Sequence, residues 1–159
     1  MQLGSLRFLL RQGMAVRGHD EIEGNLRQLM LLQAKGKWDP VTAWVNRGTY
    51  LSHDVVNELI SDIGQAIARK VIDDVRAAGK YALLVDETRD VSNSEQLTVI
   101  LRWVDESFEI HEDFVGFMSM EKVDAASLTE AIKDVLVRCV LPLSDFRGQG
   151  YDATTGLVR

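Results

Sequence analysis

The feature that most constrains the fold is a continuous apolar run, residues 81–85 (YALLV), which stops at Asp86. An uninterrupted apolar stretch is typical of a strand that is covered on both faces, because a half-exposed strand alternates with polar residues instead. The preceding residues, 53–78, carry apolar side chains at helical spacing. Ser52 is a good N-cap for this helix, and Gly79 lies where a left-handed residue would end it. A long helix followed by a buried strand indicates an α/β fold.

An antiparallel hairpin is predicted after the apolar run. Residues 96–104 alternate between apolar and polar side chains, and 105–107 have the composition of a turn. Residues 108–118 are predicted to form the third strand, with four apolar side chains in phase: Phe108, Ile110, Phe114 and Met118. His111 lies on this strand with no ligand partner near it in the pattern, so we expect it to be merely exposed.

A crossover is predicted to bring the chain back to the first strand. A helix over 125–139, capped by Asp124, precedes a fourth strand within 146–152. Because such crossovers are right-handed, the fourth strand should lie beside the first, which places Asp86 and Asp152 near the same edge of adjacent strands. The predicted domains are an N-terminal helical segment, 1–51, and a domain over 52–159 with a long helix and a mixed β-β-β-α-β sheet.

Two carboxylates at adjacent strand ends, joined by a third, are the framework of a two-metal phosphoryl-transfer site. Mg²⁺ takes hard oxygen ligands, and paired metal ions stabilise the attacking and leaving oxygens of an in-line displacement. An Asp at the end of a strand is also a common turn residue. The pattern by itself therefore leaves both interpretations of Asp86 and Asp152 open.

Charge and cysteine content restrict the classes of partner and compartment. The net charge is −6, whereas DNA-binding domains usually carry clusters of Lys and Arg. If the protein binds DNA, most of the affinity should therefore come from other segments. With Cys139 as the only cysteine, no internal disulfide forms, which fits the nucleus or the cytoplasm. No apolar run is long enough to span a membrane, and Arg7 and Arg11 interrupt the N-terminal apolar patch, so we expect neither a signal peptide nor a membrane partner.

Seven stretches of sequence carry a resemblance to a known family. They are FLLRQGMAVRGHD (8–20), EGN (23–25), VDETRDVS (85–92), EQL (95–97), LRWV (101–104), HEDFVGF (111–117) and RGQGYD (147–152). In this order the chain resembles hAT-type DNA transposases, specifically the branch related to zinc-finger MYM-type proteins and the DUF4371-like domains. The combination of RGHD, DET-x-D and RGQGYD is far more specific than any one of these motifs.

The resemblance implies a transposable-element enzyme with an RNase H-like core and a DDE triad, which cleaves and transfers DNA strands. It matches Asp86 in DET-x-D and Asp152 in RGQGYD to the first two carboxylates, which would ligate Mg²⁺ or Mn²⁺. The third carboxylate, a Glu, lies far downstream in the family, and a zinc-finger DNA-binding module usually precedes the core. We therefore expect an incomplete RNase H-like fold that is inactive by itself and meets DNA only within a full-length homologue.

The sequence departs from the family pattern at two places, and the first of them, together with the missing Glu, favours a second interpretation. Arg89 stands where the family usually has Thr, and Ala153-Thr154 stands where it has Gly-Ala. Arg89 could pair with Asp90 or compete with a metal ion. The alternative is a domesticated protein-interaction or transcription-associated module without catalysis, with a protein partner or self-association. A decayed gene fragment is a third alternative.

The RGHD motif is interpreted as structural. A loop between two helices needs side-chain partners for its backbone groups, and Arg17, His19 and Asp20 are of the types that supply them.

Overall fold

The computed structural model describes residues 1–20, 22–35, 39–89, 95–120 and 124–151. The chain forms two compact units, Met1–Gln65 (unit 1) and Ala66–Arg159 (unit 2), which divide within one long helix. Unit 1 contains the helices α1 (Gln2–Arg11), α2 (Asn25–Ala34) and α3 (Asp39–Arg47), and α4 (His53–Ala78) runs from unit 1 into unit 2. Unit 2 continues with β1 (Tyr81–Arg89), β2 (Glu95–Val104), β3 (Ile110–Met120), α5 (Ala125–Arg138), a 3₁₀ turn (Leu143–Asp145) and β4 (Phe146–Tyr151).

Unit 1 is a small helical assembly with its own apolar core. The helices α1, α2 and α3 are too short to be stable alone, so their stability comes from packing apolar faces together. The buried side chains come from all four helices: Leu6, Leu9, Leu26, Met30, Val45 and Val56. The core therefore includes the first turns of α4 as well as the shorter helices before it.

The long helix α4 has the bounds that its sequence predicted. The Val55 amide donates to Ser52 Oγ at 3.5 Å, and the Val56 amide donates to the Ser52 carbonyl at 3.0 Å, so Ser52 caps the first turn. Gly79 has a φ of +71°, the left-handed conformation that ends a helix with little strain when no side chain is present. Both ends of α4 are thus fixed by local chemistry.

Unit 2 is a four-stranded mixed sheet in the order β3-β2-β1-β4. β1 pairs antiparallel with β2 and parallel with β4, while β2 pairs antiparallel with β3. One face of the sheet is packed with the end of α4 and with α5, and the core there includes Leu83, Val99, Leu101 and Leu136. The predicted α/β class and the mixed β-β-β-α-β order are confirmed.

The opposite face of β1 is less covered than its apolar sequence predicted. Tyr81, Leu83 and Val85 are buried, whereas the alternate residues Ala82 and Leu84 are only half-buried. The described helices of unit 2 pack on the face of the sheet that carries Tyr81, Leu83 and Val85. Successive residues of a strand point to opposite faces, so Ala82 and Leu84 lie on the other face.

The predicted phase of the third strand is wrong. Phe108 lies in the turn with a φ of +63°, and Ile110 and Phe114 are exposed, whereas Met118 packs against the core. The cause is a β-bulge: the pairing of β2 with β3 shifts by one residue between Val99 and Ile100. One extra residue moves the side chains that follow to the other face, so a constant period of two fails across it.

Among the helices that the structure describes, none combines the length and the apolar character needed to cross a bilayer.

Candidate functional site

Asp86 lies inside β1 and not at its end. Its register partner on β2 is Thr98, and the pairing continues to Arg89 opposite Glu95. The prediction that the strand stops at Asp86 is therefore wrong. The cross-strand ladder with β2, which the local sequence does not reveal, extends the strand through polar residues.

The two strands that carry the predicted carboxylates are neighbours. β4 lies parallel to β1, with Val85 opposite Tyr151, as the right-handed crossover predicted. Asp86 follows Val85 in the sequence, and Asp152 follows Tyr151. Asp152 lies outside the described residues, as do Asp90 and the side chains of Glu87 and Arg89. That Asp86 and Asp152 converge therefore stays a prediction.

The Asp86 side chain is exposed beside an open depression of about 330 Å³. Residues of three strands line this depression: Leu84, Val85, Asp86, Ile100, Gly150 and Tyr151. Gly150 leaves room there, because a Cβ at this position would lie 2.9 Å from Leu84 Cδ2. An exposed carboxylate fixed on a central strand is a hard oxygen donor, so Asp86 fits the ligand type that Mg²⁺ and Mn²⁺ require.

A second polar cluster lies at the turn between β2 and β3, and the sequence pattern missed it. Asp105 Oδ1 accepts hydrogen bonds from the amides of Ser107 at 2.8 Å and Glu109 at 2.9 Å, and Asp105 Oδ2 lies 3.0 Å from His111 Nε2. The His111 ring stacks on Trp103 with 4.3 Å between centroids. The expectation that His111 is merely exposed is wrong. An Asp that opens a turn six residues before a histidine is the signal that could have found this pair.

Three of these side chains place potential ligand atoms close together. Asp105, Glu109 and His111 each contribute one atom, and these atoms lie within 4.8 Å of one another. The geometry is explained by the turn itself, since Asp105 already accepts three hydrogen bonds within it. We assign these residues to the architecture of the hairpin.

The Asp105–His111 pair should make the hairpin sensitive to pH. The hydrogen bond that His111 Nε2 donates to Asp105 raises the pKa of His111 above its usual 6.5, and the same bond lowers the pKa of Asp105 below its usual 3.8. The His111 contribution to stability is complete below 6.5 and is lost as pH rises through the raised pKa. The Asp105 contribution is present above 3.8 and is lost as pH falls through the lowered pKa. The pair therefore stabilises the hairpin most between these two values.

We expect an NMR titration of the His111 ring to have its midpoint above 6.5, and Asp105→Asn to move the midpoint down. The matched control is Glu106→Gln, which removes a charge from the same turn but leaves the Asp105–His111 bond in place. Equal downward shifts in both variants would show that general turn charge, and not this bond, sets the pKa.

The RGHD motif forms a loop held by side-chain and backbone bonds. Arg17 Nη2 donates to the His53 carbonyl at 3.3 Å and to Asn57 Oδ1, and Asp20 Oδ1 accepts from the Ile22 amide at 3.0 Å. Gly18 packs closely on backbone, since a Cβ there would lie 3.1 Å from both the Glu23 carbonyl carbon and the Gly24 nitrogen. The structural interpretation is confirmed for Arg17 and Asp20, while the His19 side chain is exposed.

Comparison with known families identifies the domain. Residues 1–158 match the DUF4371 family, which is described as the ZMYM1/FAM200 RNase-like domain. The chain belongs to this family. The match confirms the resemblance carried by the RGHD, DET-x-D and RGQGYD motifs, and it agrees with the mixed α/β sheet as a partial RNase-like fold.

Curated relatives are much longer than the stretch they share with this chain. The human 52 kDa repressor of the inhibitor of the protein kinase is 30% identical over 91 residues, which cover 57% of this chain and 12% of that protein. The bovine general transcription factor II-I repeat domain-containing protein 2 is 28% identical over 61 residues, which cover 38% of this chain and 6% of that protein. No solved structure matches the chain significantly.

Proposed function

We propose that this DUF4371 domain is the first part of an hAT-type DDE transposase core, in which Asp86 and Asp152 ligate Mg²⁺ or Mn²⁺. The observation that carries the proposal is the parallel pairing of β1 with β4, in which Val85 lies opposite Tyr151. The two candidate carboxylates are the next residues on each strand. If β1 and β4 continue in register, Asp86 and Asp152 are opposite each other on these two neighbouring strands.

The role of the domain's own residues follows from this placement. Asp86 is paired with Thr98 of β2, and Val85 immediately before it is paired with Tyr151 of β4, so β1 is held by a strand on each side up to Val85. A divalent ion bound there would supply charge stabilisation for phosphoryl transfer on DNA. A two-metal site of this type takes a third carboxylate, which the family resemblance assigns to a segment downstream of residue 159. We therefore propose that residues 1–159 bind metal but do not cleave DNA by themselves.

A metal titration tests the site directly. We expect Asp86→Asn and Asp152→Asn each to weaken Mn²⁺ binding to the chain, measured by calorimetry, by about tenfold or more, because loss of even an outer-shell partner has such an effect. Asp105→Asn is the matched control: it removes a carboxylate from the hairpin turn, remote in sequence from both candidates. If Asp105→Asn alone abolished Mn²⁺ binding, the ion would belong to the turn and the proposed site would be wrong.

Catalysis is tested in a longer protein that contains the downstream Glu and a DNA-binding module. Strand cleavage should require Mg²⁺ or Mn²⁺ and should be lost in Asp86→Asn. Cleavage that persists in Asp86→Asn at the wild-type rate would contradict the assignment of Asp86.

A second candidate function is a transcription-associated interaction module without catalysis. Two observations favour it: the relatives are named as a repressor and as a transcription-factor-repeat protein, and β3 exposes a pair of aromatic rings. Phe114 and Phe117 are 50% and 63% exposed with ring centroids 4.8 Å apart, which is an apolar pair of the kind that marks an interaction surface. On either proposal the protein acts in the nucleus. Metal binding that depends on Asp86 would favour the transposase core. The absence of metal binding, together with a protein partner whose binding is lost when Phe114 is replaced, would favour the interaction module.

A further inference from the structure

A pocket of about 250 Å³ in unit 1 carries a concentration of positive charge. It lies among the RGHD loop, the start of α2, the end of α3 and the start of α4. Four of its lining residues are basic, and we call their site the arginine pocket: Arg17, Arg27, Arg47 and His53. Among the described residues that line it, none is acidic.

Arg17 and Arg27 are held by neutral acceptors and not by carboxylates. Arg17 donates to the His53 carbonyl and to Asn57 Oδ1, and Arg27 Nη2 donates to the Asn46 carbonyl at 2.8 Å. Within the part of the chain that the structure describes, none of the three guanidinium groups forms an ion pair. Each guanidinium has five donors, so these bonds orient Arg17 and Arg27 and leave further N–H groups of both for a ligand.

Arg27 also has a buried donor for which the described residues provide no acceptor. Its Nε is buried and has no hydrogen-bond acceptor among the described residues. A buried donor without an acceptor is costly, and more so on a charged group. An anion in the pocket would provide the opposite charge for the Arg27 guanidinium.

The shape and charge of the pocket favour a compact dianion over a nucleic-acid backbone. Three forked guanidinium groups match the oxygens of a phosphate, and the N-terminus of α4 reaches the pocket at Ser52 and His53. A polyanion needs an extended basic surface, whereas residues 1–65 contain seven Lys and Arg against seven Asp and Glu, and the whole chain has a net charge of −6. The positive charge is therefore concentrated at the arginine pocket and does not extend over the surface of the chain.

We propose that the arginine pocket binds a phosphate monoester through Arg17, Arg27 and Arg47. The source is either a small phosphorylated molecule or a phosphorylated side chain, since both present the same dianionic group. The proposal is independent of the metal site, so phosphate binding should be unchanged in Asp86→Asn and in the presence of a chelator.

Calorimetry with inorganic phosphate, at constant ionic strength maintained with chloride, tests the pocket. We expect saturable binding that Arg47→Gln weakens about tenfold or more, because each charge-assisted hydrogen bond contributes strongly. Arg47 is exposed and makes no described side-chain bond, so its replacement should leave the fold intact, which circular dichroism checks. Arg11→Gln is the matched control: it removes an exposed arginine of unit 1 that does not line the pocket, and it should bind phosphate as the wild type does.

Binding measurements with other phosphate-containing probes assign the source of the phosphate group. Tighter binding of a phosphoserine peptide than of inorganic phosphate, with the same loss in Arg47→Gln, assigns the pocket to a phosphorylated side chain. Inorganic phosphate binding as tightly as the peptide assigns it to a small molecule. The proposal is overturned by no binding of any probe, by equal weakening in Arg47→Gln and Arg11→Gln, or by duplex DNA without terminal phosphates binding tightest through Arg47.

Discussion

Replacing Leu83 by alanine is expected to lower the free energy of unfolding of unit 2 by about 2–5 kcal/mol. Leu83 is fully buried on β1, which has a hydrogen-bonded strand on each side. Its side chain belongs to the core between the sheet and the helices, and a strand paired on both edges cannot move inward to fill the space left behind. Amide hydrogen exchange of β1 and β2 would measure the loss without interference from unit 1.

Leu84→Ala is the matched control for this prediction. The same atoms are removed one residue along the strand, but Leu84 is half-buried on the opposite face of the sheet. Because the transfer free energy scales with the apolar area that is buried, the loss in Leu84→Ala should be clearly smaller. Equal losses in the two variants would mean that the face carrying Leu84 is packed as tightly as the helical face.

Elements whose ends are set by local chemistry were predicted well. The bounds of α4 agree with the sequence because a serine cap lies at one end and a left-handed glycine at the other. Asp124 is a similar case, since its carboxylate accepts from the Ser127 amide at 2.8 Å and starts α5 where predicted. In both, the residues that decide the structure lie within one turn of the boundary.

Features that depend on strand pairing were predicted poorly. The end of β1 is set by its partners on β2, and the phase of β3 is reversed by a bulge opposite Val99 and Ile100. His111 was misinterpreted for a related reason, because its partner Asp105 comes close only when the hairpin closes. A one-dimensional pattern does not contain the register of two strands.

The candidate metal site was predicted from a topological rule and a family resemblance together. The right-handed crossover correctly placed β4 beside β1. The arginine pocket was not predicted, because Arg17, Arg27 and Arg47 are far apart in sequence and lie on three different elements. Charge clusters formed by tertiary packing leave no periodic signal along the chain.

Gly18→Ala is expected to destabilise unit 1 by about 1–3 kcal/mol, the usual range for overpacking. The reason is space and not backbone conformation, since Gly18 is not among the glycines with positive φ. The added Cβ would lie 3.1 Å from the Glu23 carbonyl carbon and the Gly24 nitrogen, and backbone atoms cannot rotate away as the end of a side chain can. Thermal unfolding, together with hydrogen exchange of the α2 amides, would measure the loss.

Gly4→Ala is the control, and it should change stability in the opposite direction. Gly4 lies within α1, and nothing occupies the space within 4 Å of a Cβ built there. Alanine in an exposed helix position is favoured over glycine by about 0.5–1 kcal/mol, so this variant should be more stable than the wild type. Stabilisation by both substitutions would show that the loop at Gly18 is not packed on the backbone of Asp20, Glu23 and Gly24. If the expected opposite signs are found, Gly18→Ala should also weaken phosphate binding, because the loop that it displaces carries Arg17 into the arginine pocket.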